Sequence, residues 1–187
     1  MRSPDYFRPA SGAAGVLQDI GTHCLDLLTW WLGAPTTVAY ADDAMGGVEA
    51  NCRVALTFGE VPATVRLSRD WPRPNRYLLT GRDGWIGWTV NETNRFDQGV
   101  HGTGFAGAVT LHDVPANRPQ AALGAVASEF DEAFADQLRV LVDPGGGPGT
   151  CIAGAEALPT LALIDRCYGS ATRLPMPWLL PAAEAEL

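Results

Sequence analysis

The sequence predicts an α+β fold, in which a mainly antiparallel open sheet carries helices packed on one face. Apolar and polar residues alternate over 48–58 and again over 61–67, a pattern typical of strands with one buried face. Gly59-Glu60 separates the two runs and indicates a two-residue hairpin turn. Helical periodicity appears near both ends of the chain with strands between, which favours a layer of helices on one side of the sheet.

The first helix is predicted within residues 12–33. A core-facing apolar stripe follows from helical spacing and contains Val16, Leu17, Ile20, Cys24, Leu27, Leu28 and Trp31. Gly33-Ala-Pro35 ends the helix, because a glycine commonly follows the last turn and proline cannot continue it.

The remaining chain supplies further strands and two more helices. Strands are predicted over 36–43, 75–80, 85–90 and 105–114, which gives a sheet of about five to seven strands. Helical spacing over 121–142 and over 153–171 predicts the other helices. We expect one domain over 12–180, with an extended lead-in at 1–11 and a frayed tail at 181–187.

A glycine-rich segment, Gly102–Gly107, matches the G-x-G-x-x-G pattern of dinucleotide-binding loops. That pattern binds a pyrophosphate only when a strand precedes it and a helix follows it. A strand is predicted after this segment, so an inter-strand loop is the favoured interpretation. We therefore expect no Rossmann domain and no cofactor site within this chain.

Composition excludes several classes of function. The formal net charge of −8 opposes binding to nucleic acid or to an anionic membrane surface. All 13 basic residues are arginine, which excludes Schiff-base chemistry by a lysine of this chain. The start lacks the apolar run of a secretory signal, and we expect a cytoplasmic protein. The 4 cysteines are scattered and are expected to be reduced thiols.

Candidate catalytic residues lie within the first helix. Asp19, His23 and Asp26 are spaced four and three apart and project along one edge of the predicted stripe. An imidazole beside carboxylates suits acid–base chemistry near neutral pH. A polar helix flank is the structural alternative, and a metal would need a further ligand, so no metal site is predicted. Gly21 predicts a close approach to the backbone, because glycine weakens a helix interior.

The run Gly15-Val-Leu-Gln-Asp19-Ile-Gly21-Thr-His23-Cys-Leu-Asp26-Leu-Leu, followed by Trp31-Leu-Gly33-Ala-Pro35, carries a family resemblance. It resembles the start of the second domain in the Gfo/Idh/MocA family of NAD(P)-dependent sugar and polyol oxidoreductases. Ala13 and Ala14 depart from the glycines that the family often has there.

The resemblance implies roles for individual residues. His23 would be the catalytic acid or base, and Asp19 would bind a substrate hydroxyl or orient the imidazole. Asp26 would bind the sugar-like substrate or anchor a neighbouring loop. Trp71 and Arg76 would line the substrate pocket; the alternative is that Trp71 is a core residue and Arg76 a surface residue. The family also implies a homodimer through the open face of the sheet, where short polar groups and arginines alternate with the core residues.

The function predicted is the substrate-binding and oligomerisation domain of such an oxidoreductase. NAD(P) is implied by the family, but this chain alone is expected neither to bind it nor to transfer hydride. A separate nucleotide-binding domain or subunit would supply that part. Two alternatives stay open: a stand-alone, cofactor-free lyase, isomerase or cyclase using His23 and Asp19, and a non-catalytic dimerisation remnant.

Overall fold

The computed structural model describes residues 14–44, 47–70, 75–90, 95–110 and 154–175, together with Leu138 and Val142. It divides the chain into two compact units, residues 1–73 with 153–187 and residues 74–152. The predicted single domain, 12–180, spans both units, and its lead-in and tail lie outside the described residues. These bounds stay predictions.

The described elements follow one another from a π-helical turn to a short strand. In chain order they are the π-turn Leu17–Gly21, α1 Thr22–Leu32, β1 Thr37–Asp42, β2 Asn51–Phe58, β3 Val61–Ser68, β4 Arg76–Thr80, β5 Gly84–Thr89, β6 Arg95–Val100, β7 Ala106–Thr110, a 3₁₀ turn Gly154–Ala157, α2 Leu158–Gly169 and β8 Thr172–Arg173.

The first unit is a four-stranded sheet with both helices against one face. The strand order is β3-β2-β1-β8, with antiparallel neighbours except for the parallel β1–β8 pair. Gly59 has φ +62° in the predicted hairpin turn. Side chains of β2 alternate between buried and more accessible as predicted. Its buried face joins α1 and α2 in one core, which includes Leu17, Leu25, Val54, Leu56, Leu163 and Cys167.

The π-turn shifts which face of the first helix is buried. A π-turn contains one residue more than an α-helical turn. After it, the core-facing positions therefore fall one residue later in the sequence than regular α-helical spacing predicts. Leu25 is fully buried, whereas Ile20 is 42% exposed and Leu27 is only half-buried. The predicted stripe was therefore wrong at Ile20 and at Trp31, which is 36% exposed, and it omitted Leu25.

Gly21 faces the sheet at the end of the π-turn. A Cβ added there would lie 2.8 Å from Cδ1 of both Leu17 and Leu67. The prediction that something approaches the backbone closely at Gly21 is confirmed, and the neighbour is strand β3.

The second unit is an antiparallel sheet in the order β4-β5-β6-β7. The sequence did not predict β6, because its residues Arg95-Phe-Asp-Gln-Gly-Val100 lack a regular apolar alternation. Gly102 and Gly104 adopt positive φ in the loop that joins β6 to β7. A strand follows this glycine-rich loop, as predicted.

The α+β class and the mainly antiparallel pairing are confirmed. The strands form two four-stranded sheets rather than the predicted single one. In the sequence, Pro72 and Pro74 stand between β3 and β4, and proline cannot donate a ladder hydrogen bond. Most of the predicted helix 121–142 lies outside the described residues; of it, Leu138 and Val142 are helical and exposed.

Candidate functional site

The site begins at the π-turn, where Asp19 forms an ion pair with Arg69. Nη2 of Arg69 lies 2.6 Å from Oδ2 of Asp19 and 3.4 Å from the carbonyl oxygen of Gly15. The Arg69 side chain is only 7% exposed, whereas that of Asp19 is 43% exposed. The guanidinium therefore holds the carboxylate from the protein side and leaves it accessible to solvent.

Arg69 is itself positioned by the sheet. It directly follows β3, and its backbone N–H donates to the carbonyl of Ala50 at 3.0 Å, which extends the β2–β3 ladder by one bond. The sequence analysis missed Arg69. The available signal was an arginine directly after an alternating strand, but its carboxylate partner lies 50 residues away in the chain and is not visible from local spacing.

His23 lies one turn after Asp19, in the first turn of α1, and is exposed. Asp26 follows on the same helix, and its Oδ1 accepts a hydrogen bond of 2.9 Å from Thr160 of α2. Asp26 thus contacts the neighbouring helix α2. The structure places all three predicted residues on one continuous helical segment.

Glu49 lies beneath this segment and is 3% exposed. Its Oε1 accepts hydrogen bonds from the Leu17 amide at 3.0 Å and from the Tyr168 hydroxyl at 2.8 Å. Burial and the bond to Glu49 raise the pKa of Tyr168, so its hydroxyl remains a donor further into the alkaline range than an exposed tyrosine would. The alternation predicted over 48–58 puts Glu49 on the polar face of a strand, and its burial appears only in the fold.

Of the other two predicted substrate residues, the structure describes Arg76 alone. Trp71 is outside the described residues. Arg76 belongs to the second unit, where its guanidinium carbon lies 5.6 Å from the centre of the Trp85 ring, within the range of a cation–π contact. The Trp85 indole lies across Gly99, where any side chain would collide with it.

The second unit also has an open cleft of about 520 Å³. Apolar side chains dominate its lining, including Leu79, Ile86, Val100 and Phe105, with Gln98 as a polar group. Arg76 is three residues from Leu79 on β4, so the two side chains project to opposite faces of the sheet. Arg76 does not line this cleft, although its cation–π partner Trp85 does.

The described residues contain neither a metal-binding cluster nor a helix directly after the glycine-rich loop. Within those ranges, no three His, Cys, Asp or Glu side chains gather as a metal-binding group. The glycine-rich loop Gly102–Gly107 leads into β7 and not into a helix N-terminus that could face a pyrophosphate. Among the described helices, none is long and apolar enough to cross a membrane.

The part of the sequence that contains the helical segment matches a known protein family. Residues 1–87 match the family model described as the GFO/IDH/MocA C-terminal domain. This match covers 87 of the 187 residues, so the first part of the chain resembles that domain. The matched region contains Asp19, His23, Glu49 and Arg69, whereas α2 with Thr160 and Tyr168 lies beyond it. No curated protein matches the chain significantly.

Solved structures share the fold of this chain. A variant of KijD10, a 3-ketoreductase from Actinomadura kijaniata in complex with TDP-benzene and NADP, has a TM-score of 0.60 at 16% identity over 88% of this chain. The protein yvaA from Bacillus subtilis has a TM-score of 0.56 at 15% identity over 83% of this chain. The match covers 50% of the KijD10 chain and 48% of yvaA, so this chain spans about half the length of these structures.

Proposed function

We propose that this chain is the substrate-binding half of an NAD(P)-dependent oxidoreductase acting on a sugar or polyol. The pairing of Asp19 with Arg69 carries the proposal, because it fixes a carboxylate one turn before an exposed imidazole. The family match and the NADP in the KijD10 structures support it. NAD(P) would exchange a hydride with the substrate carbon, and we propose that a nucleotide-binding domain or subunit outside this chain binds it.

In the proposed reaction, this chain would carry out the proton transfer. His23 is proposed to take the proton of the substrate hydroxyl, or to return it in the reverse direction, since an imidazole exchanges protons readily near neutral pH. The solvent-facing edge of Asp19 is proposed to accept a hydrogen bond from a substrate hydroxyl while Arg69 holds its Oδ2. Asp26 is proposed to contact substrate beyond its bond to Thr160, and Arg76 and Trp71 remain proposed substrate residues.

The open face of the first sheet is proposed to pair two copies of the chain. It presents Arg53 and Ala55 of β2 directly opposite Arg66 and Thr64 of β3. The helices cover the other face of this sheet, and this one carries short polar groups suited to a moderately polar interface. A two-fold contact is the commonest closed arrangement for soluble homo-oligomers.

The test is an assay of NADH and NADPH oxidation with a panel of keto-sugars, using the polypeptide that contains this chain joined to its nucleotide-binding domain. His23→Ala should lower kcat by ~10²–10⁴-fold, as expected for loss of a general acid or base. Asp19→Asn should also lower activity, and Asp165→Asn, an exposed carboxylate of α2, serves as the matched control. Full activity of His23→Ala would contradict the proposal.

Stability separates a catalytic role from a structural one. His23→Ala should change the free energy of unfolding by less than ~0.5 kcal/mol, since the residue is exposed. Asp19→Asn should cost about 1 kcal/mol, because Arg69 is largely buried and loses its carboxylate partner. Micromolar binding of NADH to the isolated chain in calorimetry would instead favour a cofactor site within it.

A further inference from the structure

We propose that Glu49 is a positioning residue that sets the geometry of the turn bearing Asp19 and His23, and that α2 takes part through Tyr168. The proposal rests on the proposed function only for the role of that turn in substrate binding and proton transfer. The contacts themselves can be measured without any cofactor or substrate.

The first step is the start of the helical segment, which has no side-chain cap of its own. Val16 occupies the N-cap position and makes no side-chain bond there. The first amides of a helix have no partner within it and need acceptors from elsewhere. Glu49 supplies two: its backbone carbonyl accepts from the Val16 amide at 3.1 Å, and its carboxylate accepts from the Leu17 amide at 3.0 Å.

The second step is the fit of the carboxylate against the backbone. The Glu49 side chain lies against Gly15 so closely that a Cβ at that position would collide with all three atoms of the carboxylate group. Gly15 also offers its carbonyl to Arg69 and to the amide of Asp19. Any side chain at position 15 would therefore displace the Glu49 carboxylate.

The third step is the link to α2. Tyr168 donates to the same Glu49 oxygen that accepts from Leu17. A carboxylate that accepts a hydrogen bond from an amide at a helix N-terminus stabilises the helix. The same amide buried without an acceptor would lower the free energy of unfolding. The last turn of α2 thus helps to hold the first turn of the site-bearing segment, although α2 lies outside the residues matched by the family model.

The experiment uses the 187-residue chain, labelled for NMR, with two readouts. One is the exchange rate of the Leu17 amide, and the other is the side-chain signal of Arg69, which reports its pairing with Asp19. Glu49→Ala should raise the exchange rate at Leu17 at least about 10-fold and shift the Arg69 signal. Glu49→Gln keeps an acceptor oxygen and should restore most of both.

Two further variants keep the test decisive if Glu49→Ala fails to fold. Gly15→Ala leaves Glu49 in the sequence but displaces its carboxylate, and Tyr168→Phe removes one of its donors. Both should shift the Arg69 signal in the same direction. The matched control is Thr160→Val, which removes another buried hydroxyl of α2 that bonds α1 and not Glu49, and should leave the Arg69 signal unchanged.

Unchanged Leu17 exchange and an unchanged Arg69 signal in whichever of Glu49→Ala, Gly15→Ala and Tyr168→Phe fold would overturn the proposal. Because neither readout needs turnover, an inactive oxidoreductase would contradict the proposed function and leave this result intact. Conversely, an active enzyme with an insensitive Arg69 signal would contradict only the positioning role.

Discussion

At the scale of single residues, two charges of opposite sign hold the site-bearing turn from the sheet side. Glu49 accepts from the Leu17 amide, and Arg69 donates to Gly15 and Asp19. Each charged group is almost fully buried, and each has a hydrogen-bonding partner, which is the condition under which buried charge is tolerated. Glu49 thereby holds an amide donor of the turn, and Arg69 holds its acceptor oxygens.

A buried thiol of α2 should make the stability of the protein fall at alkaline pH. Burial raises the pKa of Cys167 from 9.0 to about 11, opposed by the nearby Arg166. The native state therefore retains a proton that the unfolded chain loses. The stabilisation is fully present below pH 9 and is lost as the pH rises towards 11, by at most roughly 3 kcal/mol.

Urea unfolding of wild type and Cys167→Ala between pH 7 and 11 measures this effect. The variant should be less stable at pH 7 because a buried side chain is shortened, and the two curves should converge as the pH rises. Burial also raises the pKa of Cys52, so some alkaline loss should remain in the variant. Parallel curves over the whole range would show that Cys167 does not contribute.

At the scale of elements, the π-turn decides the orientation of α1. Its extra residue turns Leu25 towards the core and Ile20 towards solvent, and it leaves Asp19 and His23 accessible on the outer side. π-turns occur frequently at functional sites. The same device therefore sets both the packing and the presentation of the candidate residues.

A pair of truncations tests the shifted face. Leu25→Ala should cost ~2–5 kcal/mol of unfolding free energy, because Leu25 is 0% exposed in the core. Ile20→Ala should cost less than ~1 kcal/mol, because Ile20 is 42% exposed. Thermal or urea unfolding of both variants gives the comparison. A larger cost for Ile20→Ala would mean that the helix keeps regular α-helical phase through the turn.

At the scale of the whole molecule, each unit leaves a sheet face accessible. The first sheet exposes the polar face around Ala55 and Thr64, and the second exposes apolar groups such as Leu79 and Phe105. Glutamate at Ala55 and Thr64, which are cross-strand partners at the centre of the first face, would place two carboxylates inside the proposed dimer contact.

Sedimentation equilibrium at micromolar concentration should give about twice the chain mass of 19.9 kDa for the wild type. Ala55→Glu with Thr64→Glu should give a monomer. Ala155→Glu with Ala157→Glu adds the same charge at exposed positions beside α2 and should remain dimeric. A wild type of 19.9 kDa throughout would contradict the proposed pairing.

Local pattern alone was sufficient for much of this protein. Alternation gave β1, β2, β3 and their hairpin, and the helical spacing near both ends gave α1 and α2, because these signals are carried by neighbouring residues. The Asp19, His23 and Asp26 spacing also placed three candidates on one helical segment. Strand β6 and the short parallel strand β8 carry too little apolar pattern to be found this way.

What the tertiary structure decided depends on contacts between residues distant in the chain. Three such contacts are the approach of β3 to Gly21, the pairing of Asp19 with Arg69, and the burial of Glu49 beneath Leu17 and Tyr168. The hydrogen bonds among them join residues that are 32 to 119 positions apart in the chain. A local spacing argument assumes a regular helix and cannot foresee a π-turn, whose cost is offset by such long-range contacts. The sequence therefore determined which residues could form the site, and the packing of the helices on the first sheet determined which of them face solvent, which are buried, and what holds them.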